Sequence, residues 1–188
     1  KSEKSVSFRI SSEDSLGASY LEQSYTLSED GYTVEYDINA VGLENIISDR
    51  NVSFNWQNAF RKLEKDPGTS RQKTTINYYD PTGGFSYLTA YGVDPQDVSP
   101  ENSLKWISMK QRFFNMAIIM PEDARIERSK LQLGRVDEND DNVIRYASAE
   151  FELSKSAYFG APLQLYFGPN DYNLCQTITP GFEQNVDA

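Results

Sequence analysis

The sequence predicts an all-β fold: an antiparallel β-sandwich with one or two short helices, one of them C-terminal. Three observations predict it. Apolar and polar side chains alternate with period two over several stretches, turn-forming residues punctuate those stretches, and aromatics make up 13% of the chain. Alternation of period two gives a strand with one buried and one wet face, as antiparallel sheets require. About ten short strands separated by such turns point to two packed sheets. A chain of 188 residues fits one domain, and folding buries roughly 70% of the surface the extended chain exposes, enough for a core without staples.

Taken in order, weaker strand signals cover residues 5–10 and 21–28, followed by a Glu29-Asp30-Gly31 turn. In 32–38 the even positions Tyr32, Val34, Tyr36 and Ile38 are apolar or aromatic and the odd positions are polar. Val52, Phe54 and Trp56 then alternate with Ser53, Asn55 and Gln57. An Asp66-Pro67-Gly68 turn leads to strand signals at 73–79 and 85–91, joined by Pro81-Thr82-Gly83-Gly84. Residues 100–114 are ambiguous: Ser99-Pro100-Glu101 suits a helical turn, and the stretch from Trp106 to Phe114 fits strand or helix. Strands follow at 113–120 and 126–133, then an acidic turn over 137–142. Ala147, Ala149, Phe151 and Leu153 alternate with polar residues, and a last strand covers 162–167. Residues 171–179 read as a helix capped by Asn170, with Asp171 at its positive end and Pro180-Gly181 stopping it. Tyr172, Cys175, Ile178 and Phe182 fall on one face, and so short a helix needs a sheet or a membrane surface to hold it.

Composition removes several chemistries. The chain has no histidine, which excludes Ser-His-Asp and Cys-His nucleophile pairs and His-based zinc sites. One cysteine, Cys175, allows no internal disulfide, which suits cytosol or periplasm; on an apolar helix face it reads as a small buried hydrophobe. The balance of 18 cationic and 28 anionic side chains, net −10, disfavours nucleic acid and an anionic membrane face as partners. The longest apolar run, Ala117-Ile118-Ile119-Met120, is far short of the roughly 20 residues a spanning helix needs.

Local patterns add little chemistry. Asp137, Asn139 and Asp141 occupy alternate positions as in a calcium loop. Asn142 stands where that loop needs glycine, and Ser148 where it needs a bidentate Glu, so a solvated turn is the better reading. No two carboxylates are singled out as a glycosidase-like pair, and there is no nucleophile elbow, phosphate loop or dinucleotide fingerprint. Arg61, Lys62, Lys65, Arg71 and Lys73 flank Asp66-Pro67-Gly68; the cluster suits lipid headgroups or an acidic partner, but interleaved Glu64 and Asp66 favour exposed strand faces. Trp56, Tyr78, Tyr87, Trp106 and Phe114 suit a sugar or peptide groove, with core packing the commoner role. Asn51-Val52-Ser53 matches a glycosylation acceptor but sits mid-strand. No catalytic, cofactor-binding or metal-binding residue is assigned.

Two segments carry more. One joins Trp106, Lys110, Gln111, Phe113 and Phe114; the other joins Tyr166, Phe167, Gly168, Pro169 and Tyr172. With Phe54-Asn55-Trp56, Leu63-Glu64-Lys65 and the strand at 32–38, they resemble the periplasmic domain of the YidC-family membrane protein insertases, in order over most of residues 20–180. The motifs read as fold-defining: Trp106, Phe113 and Phe114 supply apolar area at a sheet crossing, and Gly168-Pro169 ends a strand and launches a helix.

The resemblance implies a β-supersandwich, similar to the galactose-mutarotase-like sandwiches, closed by the C-terminal helix. Residues 1–188 would form a single periplasmic domain, with room for a missing N-terminal part of the first sheet. It implies a periplasmic portion of a bacterial inner-membrane protein that assists insertion and folding with chaperone character. The implied partners are Sec translocon components, nascent membrane proteins and the remainder of the same insertase chain, with no cofactor and no enzymatic activity. Tyr172, Ile178 and Phe182 are the residues expected to meet a partner. Mutarotase-like catalysis relies on histidine, which this chain lacks. The alternative is a carbohydrate-binding β-sandwich module.

Overall fold

The computed structural model describes residues 4–11, 19–29, 31–43, 51–88, 96–134, 142–153 and 161–186. Its strands are β1 (Lys4–Ser11), β2 (Tyr20–Leu27), β3 (Thr33–Val41), β4 (Val52–Arg61), β5 (Thr75–Asp80), β6 (Gly84–Leu88), β7 (Gln96–Val98), β8 (Trp106–Lys110), β9 (Phe114–Ile119), β10 (Ile126–Gly134), β11 (Val143–Leu153) and β12 (Leu163–Pro169). Two short helices, α1 (Pro67–Gln72) and α2 (Tyr172–Ile178), and a 3₁₀ helix (Phe182–Asn185) complete it. One sheet runs β1-β2-β3-β12-β9-β8-β5-β6 and the other β4-β11-β10-β7, with every pairing antiparallel. This is the sandwich that the alternation predicts.

The main core lies between the sheets. The small sheet contributes Ala147, Ala149, Phe151 and Leu153 of β11 with Leu131 and Leu133 of β10, all buried. Tyr36, Ile38, Ile76, Ile107, Met109 and Leu163 face them from the large sheet. In β4 the alternating Val52, Phe54 and Trp56 pack against this core, Phe54 stacking on Phe151 at 5.4 Å between ring centroids.

The ambiguous stretch at 106–110 is the strand β8, and every residue in it is buried. Ile107 and Met109 face the main core while Trp106 faces a second apolar cluster on the outer side of the large sheet. A strand covered on both faces loses its alternation, so periodicity alone cannot separate it from a helix.

Two local expectations change, and one strand appears that no expectation covered. Asp66-Pro67-Gly68 is a helix start, not a hairpin turn: Asp66 Oδ1 accepts the N–H groups of Gly68 at 3.0 Å and Thr69 at 3.2 Å, and Pro67 opens α1, where its missing N–H is harmless. Asn170 does not cap α2. Asp171 does, accepting the Leu174 N–H at 2.8 Å. Residues 96–98 add a three-residue strand too short for any periodicity to signal. Asp30, residues 89–91 of the predicted strand and the acidic stretch 137–141 lie outside the described residues.

Candidate functional site

The C-terminal segment is clamped to the outer face of the large sheet. Phe182 is wholly buried, and its ring meets Trp106 and Tyr166 edge-on, both at 5.2 Å between centroids. Trp106 also stacks on Tyr79, and its indole Nε1–H donates to the Pro180 carbonyl at 3.2 Å. Deeper in, Asn77 Nδ2 donates to Asn185 Oδ1 at 2.8 Å, and Asn185 Nδ2 donates to the Phe182 carbonyl at 3.0 Å. Both asparagines are buried, so each polar atom needs its partner.

Glycine makes two close approaches in this clamp possible. The Tyr166 ring folds back so that its hydroxyl donates to the Pro169 carbonyl at 2.8 Å, and a Cβ on Gly168 would stand 2.5 Å from that ring's Oη and Cζ. Gly181 has φ +76°, and a Cβ there would stand 2.5 Å from Tyr79. Cys175 is buried in the same cluster, where burial pushes its thiol pKa up, so its role there is packing.

The residues expected to meet a partner therefore divide. Tyr172 is 53% exposed, whereas Phe182 is fully buried and Ile178 packs against the second cluster. The expected single helical face is not formed: the helix ends at Ile178, Thr179 is extended, and Phe182 reaches the cluster from a separate 3₁₀ turn after the left-handed Gly181, so Cys175, Ile178 and Phe182 face the sheet while Tyr172 stays outside. The fold-defining residues divide as well. Trp106 is buried, but Phe113 and Phe114 are 54% and 60% exposed at a sheet end and make no crossing. Pro169 is the last residue of β12, paired with Phe114, and α2 begins only after Asp171.

A basic and aromatic end lies where the β8–β9 turn meets the loop after β4. Arg112 Nη1 binds Glu64 Oε2 at 3.0 Å and joins the two segments. Leu63, 78% exposed, and Phe113 and Phe114 line a cavity of about 220 Å³ there with Ser70, Gln111 and Ile144. Arg61 also lines it, and Lys62, Lys65 and Arg71 on the adjoining loop and α1 are exposed. The cationic cluster thus occupies the end of β4, a loop and α1, in place of the strand faces expected. Asp66 is held below the ordinary carboxylate range, first by the Thr69 hydroxyl and then by the Thr69 and Gly68 N–H groups.

Two other features stand out. Every residue of the edge strand β1 is exposed. Val6, Phe8 and Ile10 lie opposite Tyr25, Gln23 and Leu21, and Phe8 meets Tyr25 edge-on, so β1 continues an apolar row whose inner members, Leu21 and Tyr25, pack on the main core. At the opposite edge an open depression of about 460 Å³ is lined by Tyr78, Tyr87, Leu88, Gln96, Asp97 and Val98. Among the described residues no group of three Cys, Asp or Glu side chains could hold a metal, and no helix is long and apolar enough to cross a membrane.

Comparison with known proteins gives one consistent result. The sequence profile of the YidC periplasmic domain matches residues 1–187. The membrane protein insertase YidC of Amoebophilus asiaticus is 30% identical over 172 residues, covering 89% of this chain and 28% of that protein. Its counterpart in Cytophaga hutchinsonii is 28% identical over 177 residues, again 89% of this chain and 28% of the relative. That of Parabacteroides distasonis is 29% identical over 177 residues, 90% of this chain and 27% of the relative. The chain thus spans less than a third of the length of these relatives.

Proposed function

Because this chain belongs to the family of YidC periplasmic domains, we propose that it serves a membrane protein insertase as a non-catalytic contact domain. Its location is periplasmic, as a portion of a bacterial inner-membrane protein. In this reading the domain assists insertion and folding by touching Sec translocon components or the emerging membrane protein. The clamped C-terminal segment couples the sandwich to the rest of the insertase chain. The observation that carries the reading is that clamp: Phe182 held between Trp106 and Tyr166, with buried Asn77 and Asn185 paired beneath it, makes the segment a rigid extension of the sheet. Such a joint transmits force or position and performs no chemistry.

Residues 1–188 act as one domain in this proposal, and upstream residues of the same insertase extend the large sheet at β1. The apolar row Val6, Phe8 and Ile10 supports this, since it continues the core face and is covered by nothing among the described residues. Photo-crosslinkers placed at Tyr172 and Phe113 in the full-length insertase test the contact role. Adducts with Sec components or a nascent membrane protein are expected, and silence from both positions toward both partners rejects it. A carbohydrate-binding role is the second reading, favoured by the tyrosine-lined depression with Gln96 and Asp97; saturable binding on a glycan array, lost in Tyr87→Ala, would support it over the first.

A further inference from the structure

We infer that the basic and aromatic end of the sandwich is a docking surface for an anionic lipid bilayer. The inference rests on the reading that the domain is held beside an inner membrane, and it adds the surface that faces that membrane. Three observations carry it. First, apolar side chains protrude together: Leu63 at the loop after β4, and Phe113 and Phe114 at the β8–β9 turn, lie around one cavity. Phe113 carries the Arg112 guanidinium over its ring at 4.9 Å and Phe114 opens β9, yet both rings stay more than half exposed beside a leucine with over three-quarters of its surface in solvent. Aromatic rings at the headgroup level and aliphatic side chains just below it are the pattern of interfacial anchoring.

Second, cations are concentrated on the same segments, and Arg61 and Arg112 line the cavity itself. Arg61, Lys62, Lys65, Arg71 and Arg112 are exposed, against two carboxylates on the same segments. Both carboxylates are engaged: Glu64 binds Arg112, and Asp66 caps α1 while hydrogen-bonding Thr69. In a chain of net charge −10 this is a local reversal of sign, which the sum over the sequence conceals. Cations beside an anionic leaflet each add to binding, within about one Debye length of the surface. The stretch 137–141, just before β11 in sequence, adds four carboxylates to the chain's negative balance. Charge alone is therefore insufficient, and the apolar side chains must supply part of the affinity.

Third, the surface is stiff. The Arg112–Glu64 pair ties loop to turn, and Asn170 Nδ2 donates to the Gln111 carbonyl at 2.8 Å and the Arg112 carbonyl at 3.1 Å. The Asn170 N–H donates to the Phe113 carbonyl at 2.8 Å, so the turn that presents Phe113 is held from the strand end beside the C-terminal clamp. Side chains fixed in this way lose less freedom on reaching a surface.

The test is flotation of the 188-residue chain with vesicles of phosphatidylcholine alone or mixed with phosphatidylglycerol. Flotation with the mixed vesicles, weakened by salt and weak with phosphatidylcholine alone, is expected. Leu63→Ser with Phe113→Ser should lower it by about tenfold or more, and Lys62→Glu with Lys65→Glu by a similar factor. All four positions are exposed, so slow labelling of Cys175 should persist in both variants as evidence of an intact fold. Absence of flotation with mixed vesicles overturns the inference. So does retention of binding in either double variant, because binding that ignores the apolar residues is diffuse charge attraction and binding that ignores the cations is not selective for an anionic surface. The crosslinking at Tyr172 and Phe113 is scored separately, so adducts without vesicle binding would remove this surface and leave the contact role standing.

Discussion

Truncating Phe182 to alanine isolates the clamp from the rest of the fold. A buried phenylalanine removes about 150–250 Å² from water, which at about 25 cal/mol per Å² corresponds to about 4–6 kcal/mol before alanine's own share is subtracted. Measured Phe→Ala changes in cores run about 3–5 kcal/mol, and the two edge-on ring contacts of Phe182 put this site in that range. The loss falls on one module, since the second cluster lies on the outer face of the large sheet, away from the core between the sheets. Cys175, the only cysteine and fully buried in that cluster, reports on it directly. If labelling requires the segment to open, about 3 kcal/mol speeds it by about a hundredfold. Amide exchange in β10 and β11 should stay close to its original rate. Labelling that changes by less than about threefold in a folded variant would refute the argument. Equal acceleration in β10 and β11 would refute its local character.

Four further outcomes follow from the same geometry. Asn77→Ala leaves buried Asn185 Oδ1 without its donor, costing about 1–3 kcal/mol, and should speed Cys175 labelling by about fivefold or more by the same conversion. Gly168→Ala drives a methyl group into the Tyr166 ring; a loss of about 1–3 kcal/mol is expected from overpacking, read as a lower denaturant midpoint. Asp66 and Asp80 both have carboxyls depressed in the fold, Asp80 chiefly by the Asn102 amide and then the Thr82 N–H. Their stabilisation is complete above the unfolded carboxylate range of about pH 4 and is lost as pH falls through the lower folded values, so unfolding midpoints should drop on acidification and Asp80→Asn should flatten that slope. Asn170→Asp should destabilise more than Asn170→Ala, because it sets a carboxylate against the Gln111 and Arg112 carbonyls; the reverse order in thermal melts would contradict the stated hydrogen bonding.

Strands with one wet face were legible, because burial on one side writes period two into the sequence: Ala147 through Leu153 and Val52 through Trp56 fall where the pattern puts them. The pattern disappears where both faces are covered, as at Trp106–Lys110. It also disappears where an element is stabilised by caps and is too short for a period, as at Pro67–Gln72, although Asp66 followed by Pro67 was a readable start signal. The helix at 172–178 was legible, but the break that places Phe182 in a separate turn was not, and spacing says which side chains lie together and not whether they meet a sheet or solvent. The exposure of Phe113 and Phe114 was invisible for a similar reason: aromatic content predicts a core, and only the fold shows which rings stay outside it. Net charge is a sum over 188 residues and does not resolve the sign of one loop and one helix.

The two segments that carry the family resemblance lie about sixty residues apart in sequence and meet in one joint. Phe114 pairs with Pro169 across the β9–β12 ladder. The Asn170 backbone and side chain hold the turn that contains Gln111, Arg112 and Phe113, and Asn115 Nδ2 donates to Asn170 Oδ1 at 2.6 Å. On the outer face of the same sheet Trp106 and Tyr166, one from each segment, grip Phe182. A single ladder therefore connects the exposed phenylalanines to the clamped C-terminal segment. Movement of one end without the other would have to break buried amide pairs or separate Phe182 from two rings, each costing about 1 kcal/mol or more. Hydrogen bonds and ring contacts thus tie the basic and aromatic end to the C-terminal segment, which is the property a domain needs if contact made at one place is to be felt by the chain attached at the other.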